Sequence, residues 1–521
     1  MTDRMYGQIM DSEVLVDIPG TPADDGERHD WPSHHALRTP HKAALVDLDT
    51  RAVTTWAQLD RRVDAWRELL RAAGVRSGDR VAVLALNCVQ TLEIQLACAR
   101  AGWVFVPFNW RLASTELDYI ARDADPHVVV SDALHAPQGR EIAGRLGVDH
   151  LDTAACPDAP SVVQERVTVP MRAVTMLMYT SGTTGRPKGA MITHRMVFWH
   201  AVNIAQPARI SQDTVHLAVL PFFHTGGLNL YVNPVLHAGG TVVVGNRVDP
   251  AQLFDALADP ALGVTHFFGV PTVYQVLAAD PRFAGADLSR LVTTGVGGAA
   301  CPEAVLDAWA ARGRPLAQGW GMSEAGPSGT VCDPDDPTTP PASVGKPLLH
   351  LATRIVDADG RDLPNGEVGE LWVRGPSITP GYWRNEQATA DAFRDGWFRT
   401  GDAGYQDDAG NLFIVDRWKD MYISGGENVY PAEVEAVLYQ LPGVSTCAVI
   451  GIPDERWGEV GRAFLVLETG TELSAADVRT HCARHLAKYK VPREVVVVDD
   501  LPMTGSGKIM KRALPMAPVT A

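Results

Sequence analysis

The stretch Leu177–Ala190, "LMYTSGTTGRPKGA", concentrates groups that hold phosphate. Thr180, Ser181, Thr183 and Thr184 offer hydroxyl donors, and Gly182, Gly185 and Gly189 let backbone N–H groups approach an anion closely. Lys188 adds a point charge. Such a loop suits the terminal phosphates of a nucleotide. It is not a Walker A loop, because Lys188 is followed by Gly189 rather than by Ser or Thr. The plainer alternative is a solvated turn. The unbroken run of hydroxyls and glycines from Thr180 to Gly185, with Arg186 and Lys188 behind it, argues against that.

Other stretches carry matching chemistry. "GVGGAA", Gly295 to Ala300, fits the G-x-G-x-x-A of a dinucleotide fold, but where that fold wants an acidic residue about 20 positions on, this chain has "RGRPLAQG". The alternative is that these small residues let a flat ring lie against the backbone. "PFFHTGG" sets His224 among aromatics and glycines, and "QGWGMSEAG" groups Trp320, Ser323 and Glu324. "GWFRTGD" ends in Asp402, and "FIVDRWKD" holds Arg417 and Lys419. Singly, each reads as a packed histidine, a turn or a solvated charge. Together they cover the contacts of an ATP-dependent acid activation. An aromatic face stacks adenine. One carboxylate takes the ribose hydroxyls and another holds Mg2+ on the phosphates. An arginine and a lysine neutralise charge spreading over the α-phosphate.

The elements that must position these groups follow an α/β rhythm. From Arg80, "RVAVLAL" is strand-like, "VQTLEIQLACARA" has helical spacing, and "VFVPF" is a short strand. "TELDYIARDA" is a helix with Ser114 expected as its N-cap, and "HVVV" is again a strand. Alternation of this kind predicts a largely parallel sheet. It resumes at "VTHFFGVPTVYQVLAA" and "LVTTGVGGAACPEAVLDAWAARG". After about residue 340, Asp-Gly and Asn-Gly turn signals punctuate short strands, as in hairpins. The last hundred or so residues read as α+β, with strands at "CAVIGIP", "RAFLVLE" and "EVVVVDD". A helix there opens on a capping box of Ser474 and Asp477. The expected divisions are an arm over 1–30, a large domain over 31–416, a linker over 417–421 and a small domain over 422–521.

Bulk composition agrees with a globular enzyme and excludes several classes. The 521 residues are 46% hydrophobic and 21% charged, enough to bury sizeable cores. A formal net charge of −16 makes nucleic acid or an anionic membrane a poor partner. Seven scattered cysteines without Cys-x-x-Cys read as a reduced cytoplasmic protein without a disulfide framework or zinc site. His34-His35 reads as a solvated surface pair. No apolar run reaches the roughly 18 residues of a spanning helix, and the first residues lack a signal-peptide pattern.

These motifs, in this order and at these distances, resemble the acyl-adenylate-forming (AMP-binding) superfamily, which includes acyl-CoA and aryl-CoA ligases, luciferases and peptide-synthetase adenylation domains. The resemblance runs from about Trp31 to Leu514. It implies a large multi-subdomain α/β domain of layered sheets with a small β-barrel-like part, followed by a small mobile α+β domain. It implies that Thr180, Ser181, Gly182, Thr183, Thr184, Gly185 and Lys188 form the phosphate loop. Adenine would rest on Gly298, Ala299 and Ala300, flanked by Trp320, Gly321 and Met322. Ser323 would bond the phosphate, and Glu324, with Thr183, would hold Mg2+. Asp402 would hold the ribose, with Arg417 beside it. Lys508 would be the mobile catalytic lysine, counted as catalytic with Glu324, Ser323 and His224, and Lys419 the hinge. Gly425, Gly426 and Glu427, in "SGGEN", would line a channel for coenzyme A.

Departures from the family pattern are modest. Ser323 stands for the commoner Thr, Trp320 for Tyr, Ala300-Cys301 for a segment that often carries Pro, and Met503 for a frequent Arg. "PFFHTGGLNLYVN" lacks the acidic residue that holds an amino-acid ammonium in peptide-synthetase domains. The implied reaction is therefore ATP, a carboxylic acid and CoA going to acyl-CoA, AMP and pyrophosphate. The alternative acceptor is an acyl carrier protein. The acid pocket is expected near His224, Gly226, Gly227, Phe268, Gly269, Gly295 and Met322. The runs "LMYTSGTTGRPKGAMITHR" and "FFGVPTVYQVLAADPRF" resemble bacterial feruloyl-CoA synthetases and the related FadD-like fatty-acyl ligases, which implies an acid that is aromatic, of hydroxycinnamate or benzoate type, or a medium-chain fatty acid. The expected partners are that acid and, at most, a second copy of the chain.

Overall fold

In the computed structural model, the described residues are 26–516 without 161–166, 181–185, 334–335, 337, 419, 425–426, 455, 504–508 and the Asn428 side chain. The chain divides into two compact units, Met1–Ala352 with Val373–Phe398 and Thr353–Trp372 with Arg399–Ala521.

The first unit is built on two sheets. A six-stranded sheet runs in the order Asp149–Asp152, Val128–Ser131, Arg80–Leu84, Val104–Pro107, Val174–Thr180, Lys188–Thr193. All its pairs are parallel except the last, which is an antiparallel hairpin. Two of its inner strands, Val104–Pro107 and Val128–Ser131, are buried along their whole length, and such Val-rich runs are what a sheet covered on both faces requires. The predicted helix "VQTLEIQLACARA" is found at Val89–Ala101 and ends on Gly102 in the left-handed region. Ser114, expected as an N-cap, is instead the first helical residue of Ser114–Ala124. Ala113 holds the cap position, and its N–H donates to Glu116 Oε2 at 3.0 Å.

A nine-stranded sheet supplies the second layer. Its parallel core is Leu316–Trp320, Thr293–Val296, His266–Gly269, Val215–Ala218, Thr241–Val244 and Ala43–Asp47. Phe254, Phe267, Tyr274, Phe283 and Trp309 pack one face of it.

Two expectations about the first residues change. Residues 26–30, assigned to a loosely held arm, are tied down: Arg28 N–H donates to Val169 O at 2.8 Å, and Met171 N–H to Gly26 O at 3.1 Å. Asp30 and Arg100 form a close ion pair, and Arg100 also meets Asp60 and Asp64. Of the histidine pair, His34 is exposed, but His35 turns inward, with Nε2 3.0 Å from His237 O and its ring 4.6 Å from that of Trp56.

The second unit holds two sheets. One is the larger part of a five-stranded sheet, Ala352–Val356, Gly369–Arg374 and Trp397–Gln406, with Leu412–Arg417 pairing on Trp397–Gln406; its remaining strand, Phe393–Arg394, belongs to the first unit. The Asp-Gly signal at Asp359-Gly360 makes the expected turn, closed by a bridge between Val356 and Asp362. The other sheet joins Glu427–Val429, Tyr422–Ser424, Gly458–Leu467 and Val444–Asp454, with Glu494–Val497 alongside Gly458–Leu467. The helix Ala475–His485 opens on the expected capping box of Ser474 and Asp477. All seven cysteines are free, and no helix among the described residues is long and apolar enough to cross a membrane.

Burial alone would raise the Asp30 carboxyl, but Arg100 and Arg28 outweigh it and hold it at about 2. Its stabilising contribution is therefore present above pH of about 4 and is lost as the pH falls toward 2. Replacing Arg100 by Met strips three carboxylates of their shared cation. Equilibrium unfolding in urea at pH 7 is expected to show a loss on the order of 3 kcal/mol.

Candidate active site

The sequence places hydroxyls and glycines between two apolar runs, and those runs become the hairpin of Val174–Thr180 and Lys188–Thr193. Thr180 stands opposite Lys188 and Tyr179 opposite Gly189. The strands on either side of the candidate phosphate loop pair with each other antiparallel, where a Walker loop would be followed by a helix. Ser181, Gly182, Thr183, Thr184 and Gly185 lie outside the described residues. At the hairpin mouth, Lys188 Nζ lies 5.3 Å from the centre of the Tyr382 ring. Arg186 covers the Tyr119 ring at 5.7 Å.

Tyr382 also reaches Glu324. Its hydroxyl donates to Glu324 Oε1 at 2.8 Å, and the Glu324 residue is only 5% exposed. The segment 379–383 is strapped down along its length. Thr379 N–H donates to Glu324 O at 2.8 Å, Met191 N–H to Gly381 O at 3.0 Å, and Trp383 N–H to Gly189 O at 2.8 Å. One tyrosine thus links the hairpin cation to the carboxylate expected to hold Mg2+. Sequence reasoning missed it. The only local signal is a tyrosine after Pro-Gly, and that says nothing of what the ring faces.

The carboxyl ends of three parallel strands carry the expected adenine shelf. Gly269, Val296 and the neighbouring Gln318 are in register on His266–Gly269, Thr293–Val296 and Leu316–Trp320. Gly298, Ala299 and Ala300 follow the middle strand as an exposed turn, with Gly298 at φ +86°. Trp320, Gly321, Met322, Ser323 and Glu324 follow the third. Ligands of open α/β sheets bind at this edge. Trp320 is buried, its ring set against Gly329. Gly321 has to be glycine, because a Cβ would lie 1.9 Å from Pro327 O. Met322 and Ser323 are half-buried.

Of the residues expected around the acid, the fold gathers Gly226, Phe268 and Gly295. A Cβ on Gly226 or Gly295 would lie 3.8 or 3.0 Å from the Phe268 ring, and one on Gly297 3.5 Å from it. Tyr231, another residue missed in the sequence, packs edge-on to Phe268 with centroids 5.6 Å apart. His224 stands at the start of the short helix Thr225–Leu228, its ring 4.6 Å from that of Phe223. Gly227 packs under the carbonyls of Leu220 and Pro221, and Gly269 against Tyr274.

In the second unit, Asp402 and Arg417 face each other across adjacent antiparallel strands, Nε to Oδ1 at 2.9 Å. Asp402 is 5% exposed. Ser424 and Glu427 are paired on adjacent antiparallel strands, and Glu427 is exposed. Gly425, Gly426, Lys419 and Lys508 lie outside the described residues.

Comparison with known proteins decides the family. The description "AMP-binding enzyme" matches residues 33–383, and "AMP-binding enzyme C-terminal domain" matches 433–508. The chain belongs to the AMP-binding enzyme family. A feruloyl-CoA synthase of Amycolatopsis is 42% identical over 92% of this chain and 97% of its own. The long-chain-fatty-acid–CoA ligase FadD13 of Mycobacterium tuberculosis is 34% identical over 92% and 96%. The structure of o-succinylbenzoate coenzyme A synthetase from Bacillus subtilis with ATP and magnesium superposes with a TM-score of 0.86 at 31% identity, covering 94% and 100%. This AMP-binding enzyme is an AMP-forming acid–CoA ligase that uses ATP, Mg2+ and coenzyme A.

The residues present fit Mg2+. Among the described residues there is no cluster of three or more His, Cys, Asp or Glu that could cage a metal. A single oriented carboxylate, Glu324, is what a cation held mainly by phosphates and water requires. When bound, Mg2+ supplies charge neutralisation on the phosphates. Tyr382→Phe removes the donor that orients Glu324 while keeping the ring under Lys188. It is expected to raise the Mg2+ concentration for half-maximal pyrophosphate release about tenfold, measured by Mg2+ titration at saturating ATP and acid.

Proposed function

We propose that the acid is aromatic, of hydroxycinnamate or benzoate type. The observation that carries this is the Phe268 ring with the Cβ-less backbone of Gly226, Gly295 and Gly297 around it. Bare backbone there lets the Phe268 and Tyr231 rings pack close, so an acid held beside them meets an aromatic surface, and ring–ring contact is worth more than its area alone. The likeness to a feruloyl-CoA synthase supports the same choice.

The residue roles belong to the same proposal. The loop 180–185 and Lys188 bind the β- and γ-phosphates that leave together. Gly298, Ala299, Ala300 and Trp320 hold adenine. Asp402 takes the ribose hydroxyls, with Arg417 fixing its carboxylate. Ser323 and His224 line the reacting centre. The acid's carboxylate oxygen attacks the α-phosphorus, and the bond to pyrophosphate breaks with its electron pair going to the leaving group. Lys508 neutralises the charge that develops on the α-phosphate. The CoA sulfur, without its proton, then adds to the acyl carbon, and AMP leaves. Gly425, Gly426 and Glu427 guide the thiol to that carbon. Lys508 and this hairpin both follow the linker 417–421, so a swing of the small domain about Lys419 brings them in turn. Seven free cysteines support a reducing, cytoplasmic setting.

A panel of carboxylic acids scored by pyrophosphate release tests the substrate. The highest kcat/KM is expected on a hydroxycinnamate or benzoate; a medium-chain fatty acid at the top would overturn the aromatic reading. Gly295→Ala would place a Cβ 2.5 Å from the Tyr231 hydroxyl and 3.0 Å from Phe268. It is expected to lower kcat/KM for the acid by a factor on the order of 10–100, leaving KM for ATP unchanged. Lys508→Ala is expected to abolish adenylate formation while sparing much of thioester formation from supplied acyl-AMP. Lys419→Pro is expected to slow overall turnover more than either isolated half-reaction.

A further inference from the structure

Asp416 is the last residue but one of the strand Leu412–Arg417, immediately before the linker. Its side chain does not point along its own sheet. Asp416 Oδ2 accepts from Ala432 N–H at 2.7 Å, and Oδ1 accepts from Arg417 N–H at 2.7 Å. Ala432 is in the first turn of the helix Pro431–Leu438, whose own N-cap residue, Tyr430, supplies no capping side chain. An aspartate from before the linker therefore caps a helix from after it.

The same helix carries a second carboxylate one turn further on. Glu435 Oε1 accepts from Val449 N–H at 2.7 Å and meets Lys511 Nζ at 2.8 Å. Lys511 is largely buried and is also attracted by Asp416 and Asp420. Burial pushes both the Asp416 and the Glu435 carboxyls upward, against the pull of Lys511. Burial would lower Lys511, but Glu435 and Asp416 outweigh it and hold its ammonium above the ordinary lysine range.

The cluster has two halves of different kinds. Glu435, Val449 and Lys511 all follow the linker, so their contacts survive any rigid motion about it. Asp416 precedes the linker, so its hydrogen bond with Ala432 and its attraction for Lys511 join residues on opposite sides of it and are the ones such a motion strains. We propose that Asp416 is a positioning residue, a charged latch that holds the small domain in one of its two working positions and so sets the balance between the two half-reactions. The inference rests on the proposed swing about Lys419.

Asp416→Asn tests it, because the amide oxygen still caps Ala432 while the charge that attracts Lys511, and the acceptor for Arg417 N–H, are gone. Two rates are measured at 25 °C: pyrophosphate release without CoA, and thioester formation from supplied acyl-AMP and CoA. Their ratio is expected to shift by about fivefold or more in Asp416→Asn, and further in Asp416→Ala. Glu435→Gln, which disturbs only the half that moves as one piece, is expected to lower thermal stability without moving the ratio. An unchanged ratio in both Asp416 variants, or an equal shift in Glu435→Gln, overturns the latch. Lys508→Ala in the same two assays separates the readings. Equal loss of both half-reactions there sinks the swing itself, whereas a split result beside an unresponsive Asp416 sinks only the latch.

Discussion

The hydrogen bond from the Tyr382 hydroxyl to Glu324 spans 58 residues of sequence and holds the first unit's site together. Glu324 sits on a one-turn 3-10 helix, too short to fix a side chain by its own backbone. Its orientation has to come from outside, and the strap 379–383 provides it at two points, through Tyr382 Oη and through Thr379 N–H. The strap is in turn bonded to both Gly189 and Met191 on the hairpin strand. Moving the hairpin strand therefore moves the carboxylate, so under the proposed roles the two meet a nucleotide as one rigid piece.

A chain of net charge −16 that uses ATP has to attract a polyanion locally, against its overall charge. Backbone N–H groups and hydroxyls attract phosphate without changing net charge. The two cations at the hairpin mouth are each placed on an aromatic face: Lys188 over Tyr382 and Arg186 over Tyr119. A ring quadrupole holds a cation without neutralising it, as a carboxylate would, so its field remains available to an incoming anion. Asp402 is treated the opposite way. It is buried and paired with Arg417, which fixes its carboxylate, the orientation that its proposed role toward the ribose hydroxyls requires.

What the sequence made legible is what depends on near neighbours. The helix Val89–Ala101 follows from its periodicity, the capping box from Ser474 and Asp477, and the turn from Asp359-Gly360. The motifs also marked the chemistry, and the fold gathers Gly226, Phe268 and Gly295, although they come from three separate stretches. Long-range pairing was not legible. Tyr382 on Glu324, Tyr231 on Phe268 and Asp416 on Ala432 each join residues whose sequence neighbours give no hint of the partner. His35 was misread for the same reason, since its burial depends on Trp56 and His237. The Ser114 error is of another kind. Glu116 satisfies the Ala113 N–H, so the helix starts one residue earlier than the best local capper would set it.

The composition of the Asp416 cluster suits a contact that must open and close. An apolar contact of the same size would be stabilised by roughly 25 cal/mol for each Å2 hidden, and separating it would expose that surface to water. Charged groups behave differently. Their desolvation cost nearly cancels their attraction, so a buried ion cluster adds little net stability while specifying one geometry. On opening, Asp416 and Lys511 regain their hydration, and Lys511 keeps Glu435 as a partner. The surplus of carboxylates around one ammonium works in the same direction, because Lys511 never has to be left without a counter-charge. A latch built this way discriminates between positions without trapping the domain in either, which is what an enzyme needs when both positions must be visited in every turnover.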